Sequence, residues 1–488
     1  MDEAAFARVQ AKLDRAWRAH RPHSRTEHLV VEVPSYNVDP VLLAHYAERI
    51  PALEQRYLCS ILLLGDRCTR LAYLTSTEPP ADIVDAYLAL LPPPARAGAE
   101  ERLTIIALGD PSPRPLAEKL LERPDVIATL RRLAGDAPAL VEPWNVGVNE
   151  CRLAVELDMP LYGAHPRFWR LATKTGGRRL FRETGVPLPD GFEGLRSLPD
   201  AADAISALRL RHPGLAAVIV KLDDSASGDG NAVIDLSGLP EPGAAGEAAA
   251  LANRLMALPG WYVQTFTANR GIVEVRVDGE DFRSPSAQLS VTPAGEVVVL
   301  STHDQILGGH AGQVYQGCRF PADPAYAAEV ARLARVVGER LASEGVIGRL
   351  AVDFAAVRRR GEWDLYALEI NLRKGGTTHP FSTARSLTGG RYDPATSTFA
   401  CPDGRPKHYV ATDNLHDPAW RSLDPVRVRH AVVDAGLGFD LATRTGVVPH
   451  MLSGIPIDGR FGLTAIADSA DEAQCLHDAV RPTVDALL

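Results

Sequence analysis

The sequence predicts a multidomain protein of mixed α/β and α+β class, on three observations along its 488 residues. Residues 1–165 alternate short apolar runs with helical patterns, as in a parallel sheet covered by helices on both faces. Residues 166–395 open with a helix and continue as paired strands around one long helix. Residues 396–488 mix helix and strand signals and form a C-terminal extension. This length suits two or three domains.

Composition excludes several classes of protein. The net charge is −9, whereas a nucleic-acid binder normally has a basic face. The N-terminus lacks the apolar core of a signal peptide, and no apolar run is long enough to span a bilayer. The six cysteines are scattered without a CxxC pair, so we interpret them as reduced thiols. Cytoplasmic residence is the resulting expectation.

The first unit, residues 1–165, is predicted to contain four strands with helices between them. Each apolar run ends at a turn signal, which is typical of short buried strands. The helical patterns cover residues 39–58 and 81–91. The predicted strands are HLVVEV (28–33), SILLLG (60–65), LAYLTS (71–76) and LTIIALG (103–109).

The second unit, residues 166–395, is predicted to start with a helix that stops at Gly185, because Gly followed by Pro187 and Pro189 is a helix-ending order. Residues 216–236 form a strand, a Gly/Ser/Asp loop and a second strand. That hairpin context excludes a Walker loop or a Rossmann fingerprint, which require a helix directly after the glycines. Further strands are predicted at 260–266, 272–279, 287–293, 296–303, 349–357 and 363–373, with a helix at 325–345.

The third segment, residues 396–488, has a less regular pattern. A helix is predicted near 425–436, a turn at TGVVPHML (445–452), a strand at 459–467 and a final helix from about 470.

A first cluster of candidate functional residues surrounds the loop of the 216–236 hairpin. A lysine on a strand beside small residues suits a polyphosphate, because glycine lets backbone N–H groups approach the oxygens. A permissive hairpin loop with a solvated lysine is the alternative. The residues are Lys221, Ser225, Ser227, Gly228, Gly230 and Asn231.

A second cluster is acidic and lies on the last two strands of the unit. Glu369 and Asn371 are two residues apart and share a strand face. The turn RRRGE (358–362) makes these strands a hairpin, which can bring Asp353 opposite the pair. Carboxylate and amide oxygens are the hard ligands that Mg²⁺ prefers. A carboxylate at the rim of a strand is the alternative.

A third cluster follows directly, from Arg373 to His379 in RKGGTTH. Arg373 continues the face of Glu369 and Asn371, so its guanidinium can neutralise a transferred phosphoryl group or a carboxylate. A basic turn after an edge strand is the alternative. The three clusters together indicate phosphoryl transfer from Mg·ATP.

These residues resemble the ATP-grasp superfamily, most specifically in the string LAVDF…YALEINLRKGGTTHPF. The chain is also similar to peptide ligases of the pheganomycin-biosynthesis type, through YLCSILLLGD in the first unit and TGVVPHMLSG in the third. The resemblance implies an ATP-grasp fold with a pre-ATP-grasp domain (1–165), an ATP-grasp domain (166–395) and a family-specific C-terminal domain (396–488).

The resemblance also implies roles for individual residues. Lys174 and Lys221 would contact the ATP phosphates, and Gln264, Thr265, Phe266 and Thr267 would form the hinge that reads the adenine. Glu274 would contact the ribose. The magnesium ligands would be Asp353, Glu369 and Asn371, with Mn²⁺ as a substitute ion. Arg373 and Arg349 would stabilise an acyl phosphate. Candidates for the substrate pockets are His303, Gln305, Gln313 and His379.

The implied reaction joins a carboxylate to an amine through an acyl phosphate, with release of ADP and phosphate. The substrates would be amino acids or peptides of specialised metabolism, and the protein would be a homodimer. Three alternatives stay open: an ATP-grasp carboxylase, a kinase, and a nucleotide-binding regulatory protein without turnover.

Overall fold

A four-stranded parallel sheet forms the centre of the first unit, which confirms the predicted parallel sheet, although its strand at 139–143 was not predicted. This computed structural model describes residues 2–21, 24–38, 43–44, 46–224, 230–308 and 314–488. Alternate residues of β1 enter two different cores, Leu29 and Val31 on one face and Val30 on the other. The strand order is β3-β2-β1-β4, with bounds β1 His28–Val33, β2 Thr69–Thr75, β3 Leu103–Ala107 and β4 Ala139–Pro143.

Helices of the first unit cover the sheet. The predicted strand at 60–65 is wrong, because this run lies within the 3₁₀ helix Arg56–Gly65. Short apolar runs fit a buried helix as well as a strand, and here Tyr57, Ile61 and Leu64 pack into the core. A second 3₁₀ turn spans Ala47–Arg49. The α-helices are α1 Glu3–Gln10, α2 Leu13–His20, α3 Ile50–Gln55, α4 Ala81–Ala89, α5 Pro93–Arg96, α6 Ala99–Arg102, α7 Leu116–Leu121, α8 Pro124–Ala134 and α9 Val148–Leu157.

The second unit contains a small antiparallel sheet in the order β5-β8-β6-β7. Its strands are β5 Gly191–Leu195, β6 Ala217–Leu222, β7 Asn231–Asp235 and β8 Gly271–Val275. The pairing of β6 with β7 confirms the predicted hairpin. Three helices pack into the core of this sheet: α12 Leu198–Arg211, α13 Glu247–Met256 and α14 Gly260–Asn269. Before them, the 3₁₀ turn Pro166–Phe168 leads to α10 Trp169–Ala172 and α11 Lys174–Thr184, whose apolar side chains join the core of the larger sheet.

A larger sheet of nine strands begins in the second unit and ends in the third segment. Its order is β14-β13-β10-β11-β12-β17-β19-β18, and β9 pairs with β13. Two further strands, β15 Arg391–Asp393 and β16 Thr398–Ala400, pair separately. The other bounds are β9 Asp281–Arg283, β10 Pro285–Val291, β11 Val297–Gly308, β12 Val314–Phe320, β13 Gly348–Arg359, β14 Glu362–Asn371, β17 His408–His416, β18 Gly446–His450 and β19 Arg460–Ala467.

The remaining helices pack against this sheet and join the units. The helix α15 packs Val330, Val337 and Leu341 against Leu289 of the sheet. One core unites Tyr57 of the first unit with residues of the third segment. The bounds are α15 Ala327–Ser343, α16 Thr378–Thr388, α17 Pro425–Asp434, α18 Ile455–Asp458 and α19 Ala470–Asp485, with 3₁₀ turns Pro418–Ser422 and Leu452–Gly454.

Two local predictions fail in these regions. The predicted turn at 445–452 contains β18, because Val447 and Val448 are buried and pair with β19. The predicted strand at 260–266 is the helix α14. Among the helices that the structure describes, none has the length and apolar character needed to cross a membrane.

Candidate active site

A cleft of about 800 Å³ separates the small sheet from the nine-stranded sheet. The small-sheet wall presents Lys221 and Glu274, and the opposite wall presents Asp353, Glu369 and Asn371. Residues of the first unit and of the third segment close one end. The structure therefore brings the first two clusters of the sequence analysis to the same cavity. The loop residues Ser225, Ser227 and Gly228, and also Gln313, lie outside the described residues.

Lys221 on the small sheet is held by a buried carboxylate. Glu274 pairs in register with Ile219, and Ile219 and Lys221 share a strand face. The Lys221 ammonium forms an ion pair with the Glu274 carboxylate, which also accepts a hydrogen bond of 3.0 Å from Arg178. Glu274 is only 2% exposed. Its carboxylate thus holds two cations, Lys221 of the small sheet and Arg178 of α11, and Glu274 also lines the cleft, where the contact with a ribose stays a prediction.

Lys174 is the first residue of α11, which bonds to the small sheet at its start and packs Leu180 and Phe181 into the core of the nine-stranded sheet. Asp223 follows β6 directly; its backbone carbonyl accepts the Lys174 N–H (2.9 Å), and its carboxylate accepts the Thr175 N–H (2.6 Å). Free N–H groups at a helix start favour such a carboxylate. This docking fixes α11 so that Lys174 Nζ lies 2.9 Å from Glu369 Oε1. Asn231 lines the same wall, whereas the Gly230 carbonyl accepts a hydrogen bond from Tyr262.

The acidic hairpin has the register that the sequence predicts. Asp353 on β13 lies opposite Glu369 on β14, and Ala351 lies opposite Asn371. Asn371 and Gln305 donate hydrogen bonds of 2.9 Å and 3.0 Å to the Asp353 carboxylate. Burial, together with the nearby Glu369 carboxylate, raises the pKa of Asp353 to about 6. Burial would also raise the pKa of Glu369, but the cations Lys174, Arg373 and Lys221 together outweigh it and lower that pKa.

The basic cluster after β14 divides between two places. Arg373 faces the cleft, and its guanidinium lies 5.0 Å from the ring centroid of Trp144. Lys374 turns away and pairs with Glu32 (2.7 Å) and Glu142 (3.2 Å) at the ends of β1 and β4. Gly375 and Gly376 line the cleft beside Arg373. Arg373 is therefore the cation of this cluster that can reach a bound phosphate.

Arg349 does not line the cleft. Its guanidinium contributes to the electrostatic environment of Glu32 and Glu142, beside Lys374. It lies on the strand face of Asp353 but four residues away along β13. The position links Arg349 to the first unit more directly than to the acidic hairpin.

The predicted hinge is also displaced. Gln264 and Thr267 are exposed on α14, and Phe266 is fully buried in the core of the small sheet. The Thr265 and Thr267 hydroxyls donate to carbonyls of their own helix. Tyr262 and Phe266, four residues apart, both face the sheet, which explains why this β-prone string forms a helix.

The backbone that links the two sheets lies further along the chain, at residues 275–280. The cleft is lined there by Val275, Arg276, Val277 and Asp278. Gly279 permits a close approach, since a Cβ at this position would lie 2.4 Å from the carbonyl oxygen of Arg358. The sequence contained a signal for this link, because the segment follows Glu274 directly in IVEVRVDG.

The candidate histidines are buried away from the cleft surface. His303 contacts the Tyr409 hydroxyl at 2.5 Å, and burial lowers the pKa of its imidazole to about 3. His379 lies 3.0 Å from Asp413 and 3.1 Å from His450. Burial also lowers the pKa of His379 to about 3. His379 therefore contacts the lining residue Asp413 and does not line the cleft itself.

Sequence reasoning missed the residues that close the end of the cleft. Tyr36, Arg49 and Arg56 come from the first unit, and Asp413 and Arg460 come from the third segment. Their separation in sequence is large, and no local spacing marks them as one group. Asp413 on β17 was the one detectable signal, since a carboxylate in the string YVATDNL interrupts a strand pattern.

Fold and site together define an ATP-grasp protein: two antiparallel sheets enclose a cleft with lysines on one wall and carboxylates on the other. The model of the IQCH-like ATP-grasp domain matches residues 242–394, and the model of the PGM1 C-terminal domain matches residues 428–480. Two solved structures share this fold. The ADP complex of N5-carboxyaminoimidazole ribonucleotide synthetase (TM-score 0.52, 13% identity) covers 93% of this chain and 96% of its own. Biotin carboxylase from Campylobacter jejuni (TM-score 0.52, 15% identity) covers 92% and 90%.

A curated relative identifies the family more narrowly. L-propargylglycine–L-glutamate ligase of Streptantibioticus cattleyicolor is 30% identical over 478 residues, which are 96% of this chain and 96% of the relative. The chain belongs to the pheganomycin-type peptide ligase family of ATP-grasp carboxylate–amine ligases. It is thus an ADP-forming carbon–nitrogen ligase that uses ATP. The IQ motif-containing protein H of Danio rerio is 22% identical over 345 residues, 62% of this chain and 32% of that protein.

Proposed function

We propose that this protein phosphorylates a small-molecule carboxylate with ATP and joins it to the amine of an amino acid or peptide. The observation that carries the proposal is the ion pair of Lys174 with Glu369, at 2.9 Å, in a cleft whose small-sheet wall presents Lys221. Lysines and a buried acidic hairpin then line one cavity, and these are the two kinds of group that a metal–nucleotide complex requires.

The nucleotide lies between these walls. Lys174 and Lys221 neutralise phosphate charge, and Asn231 borders the same wall. The adenine is read by backbone groups of Val275, Arg276 and Val277 at the link between the sheets, in place of residues 264–267. Arg178 and Glu274 hold Lys221 in position for the phosphates.

The donor set fits Mg²⁺, with Mn²⁺ as a substitute. Asp353, Glu369 and Asn371 offer hard oxygen ligands on adjacent strands. Burial, and after it the nearby Glu369 carboxylate, raises the pKa of Asp353, and a divalent cation would compensate the negative charge of both carboxylates. When bound, the ion neutralises charge on the phosphate oxygens.

The proposed reaction has two steps. A carboxylate oxygen attacks the γ-phosphorus, the bond to the β-phosphate oxygen breaks, and ADP leaves. Arg373 neutralises the resulting acyl phosphate. The amine nitrogen then attacks the acyl carbon, the carbon–oxygen bond breaks with its electron pair on the leaving phosphate, and the nitrogen loses a proton to solvent. The products are an amide and inorganic phosphate.

The substrate class follows the curated relative, whose name specifies two amino acids. We infer amino-acid or peptide substrates in specialised-metabolite biosynthesis. Homodimeric assembly and cytoplasmic residence remain predictions from the sequence, and both are testable by light scattering and cell fractionation.

The test is a coupled assay of ADP release. A ligase releases ADP rapidly only when both a carboxylate and an amine are present, and mass spectrometry finds the amide. A kinase releases ADP without the amine, a carboxylase requires bicarbonate, and a regulatory protein binds ATP without turnover. Any of these three results contradicts the proposed reaction.

Two variants test the assigned residues. Glu369→Gln removes a metal ligand and abolishes ADP release while the thermal unfolding transition is retained. Lys221→Ala weakens ATP binding in calorimetry, by about tenfold or more, because a charge-assisted contact is lost. Lys12→Ala is the matched control, since Lys12 is exposed and pairs with Asp158 far from the cleft. Unchanged ATP affinity in Lys221→Ala would remove Lys221 from the nucleotide site.

A further inference from the structure

Two histidines and an aspartate converge at the end wall of the cleft, apart from the acidic hairpin. His379 lies in the first turn of α16, Asp413 lies on β17 and His450 ends β18. All three side chains are buried, with exposed fractions of 2%, 8% and 4%. Within the ranges that the structure describes, no second group of three His, Cys, Asp or Glu side chains converges in this way. The reaction proposed above uses none of these side chains.

The atoms that face one another in this group have the spacing of metal ligands. His450 Nε2 and His379 Nε2 lie 2.7 Å and 3.0 Å from Asp413 Oδ1, and the two Nε2 atoms are 3.1 Å apart. With metal–ligand bonds of about 2.1 Å, neighbouring ligands are about 3.0 Å apart in an octahedral shell and about 3.4 Å apart in a tetrahedral one. The three atoms therefore match one face of an octahedral coordination shell.

Hydrogen bonds alone do not account for this triangle of atoms. If both Nε2 atoms carry a proton, both can donate to Asp413 Oδ1, but two N–H groups then face each other at 3.1 Å. If one Nε2 atom lacks the proton, it can accept from the other imidazole, but its lone pair then faces the carboxylate oxygen. A metal ion, in contrast, accepts an electron pair from all three atoms at once.

Local backbone features place these side chains. The register of β17 against β19 shifts between Thr412 and Leu415, and an irregularity of this kind redirects a side chain such as Asp413. His450 pairs with Gly462 across β18 and β19. A Cβ at position 462 would lie 2.2 Å from His450 Nε2, so glycine leaves the room that this imidazole occupies. The backbone is therefore matched to the convergence of the three side chains.

The contacts around the group join three parts of the chain. Asp413 uses Oδ1 for the imidazoles, while its Oδ2 pairs with Arg56 of the first unit at 3.2 Å. Such a second partner orients a metal-binding carboxylate. His379 Nδ1 has no hydrogen-bond partner among the described residues, so no neighbour holds the ring in the tautomer that protonates Nε2. An ion at this place would connect the second unit with the third segment beside a contact to the first.

We propose that His379, Asp413 and His450 bind one divalent transition-metal ion, such as Zn²⁺ or Fe²⁺. Imidazole nitrogen suits these ions, whereas Mg²⁺ prefers oxygen ligands, so this ion differs from the one that accompanies the nucleotide. The ion fixes Asp413 in the cleft wall and holds the third segment against α16. The inference is independent of the proposed ligase reaction, since it concerns a separate set of ligands.

The test measures the metal content of the full-length protein, purified without a histidine tag. After removal of metals with EDTA and dialysis, the protein is supplied with Zn²⁺, Co²⁺ or Fe²⁺ alone, Fe²⁺ under anaerobic conditions. Plasma mass spectrometry is expected to find about one tightly bound ion per chain with at least one of these metals. The content is expected to fall to about 0.1 or less in His450→Gln and in Asp413→Asn, because each removes a ligand.

Three further variants separate this site from others. Gly462→Ala retains all three ligands, but its Cβ displaces His450, so the Kd for the bound metal is expected to rise about tenfold or more. Glu369→Gln, which changes the nucleotide-side metal ligands, is expected to keep the full metal content. His430→Gln is the matched control, because this histidine of α17 is 53% exposed and lies outside the group.

Anomalous diffraction from crystals of the wild-type protein provides a second measurement that requires no variant to fold. The ion is expected within about 2.3 Å of His379 Nε2, His450 Nε2 and Asp413 Oδ1. The proposal is overturned if none of the three metals binds, or if the anomalous peak lies elsewhere. It is also overturned if His450→Gln and Asp413→Asn, folded by circular dichroism, keep the wild-type metal content.

Discussion

Replacing Glu274 by glutamine tests the buried ion-pair group on which the position of Lys221 depends. The Glu274 carboxylate pairs with Lys221 and with Arg178, and all three side chains are at least nine-tenths buried. Removing one partner of a buried pair costs about 3–5 kcal/mol, because the remaining charge is left uncompensated. Glu274→Gln is therefore expected to lower the free energy of unfolding by about this amount, measured by urea titration.

Nucleotide affinity provides an independent readout of the same change. Without the Glu274 carboxylate the Lys221 ammonium loses its fixed position toward the phosphates. A charge-assisted contact is worth about 1.5–3 kcal/mol, so the Kd for ADP with Mg²⁺ rises about 10–100-fold. Calorimetry is done at a temperature where the variant is fully folded. Glu183→Gln is the control, because Glu183 is exposed and lies 3.5 Å from Arg340.

The double variant Glu274→Gln/Lys221→Met shows whether the pair itself is responsible. Methionine removes the ammonium that the first change leaves unpaired, so the double variant is expected to be more stable than the sum of the single changes. A coupling free energy above about 1 kcal/mol supports the pair. If the free-energy changes of the two single variants sum to that of the double variant within about 0.5 kcal/mol, the two residues do not interact and the reasoning is refuted.

Three further predictions concern stability and the displaced hinge. Burial lowers the pKa of His303 to about 3, whereas the unfolded value is about 6.5. The free energy of unfolding should therefore fall by about 1.4 kcal/mol per pH unit as the pH drops from 6.5 toward 3, because the unfolded state binds the proton more readily. His303→Gln should reduce this slope in urea titrations between pH 7 and 5. Gly348→Ala should destabilise by about 2 kcal/mol or more, since φ is +104° and the added Cβ would lie 2.6 Å from Gly163 Cα; an unchanged Tm would contradict this. Gln264→Ala should leave ADP affinity within about twofold of the wild type. Phe266→Ala should lower the free energy of unfolding by about 3–5 kcal/mol. A large loss of ADP affinity in Gln264→Ala would instead indicate that residues 264–267 contact the nucleotide.

The acidic hairpin could be predicted because its signals are local. Glu369 and Asn371 alternate with apolar residues, so the strand period alone assigns them to one face. The short turn at 358–362 then fixes the partner strand, and Asp353 comes opposite Glu369. Gly185, with a positive φ after α11, likewise ends the helix where the sequence indicates.

The hinge could not be placed because local propensity favoured a strand. The string from Trp261 to Phe266 is rich in aromatic and β-branched residues. Tertiary contacts decide otherwise: the Tyr262 hydroxyl donates to the carbonyls of Val220 and Gly230, which anchors α14 on the small sheet. The arginines at positions 49, 56 and 460 are a different case, since only the folded chain brings them together.

The nine-stranded sheet explains why the third segment contributes to the cleft at all. The strand β17 pairs with β12, and Cys318 lies opposite Ala411, which sets the position of Asp413 relative to Gln305 on β11. Gly317 permits the close pairing, because a Cβ there would lie 2.2 Å from the Ala411 carbonyl oxygen. Asp353 and Asp413 therefore lie on one continuous sheet whose register fixes both. A change that shifts β17 is therefore expected to move Asp413 relative to the acidic hairpin.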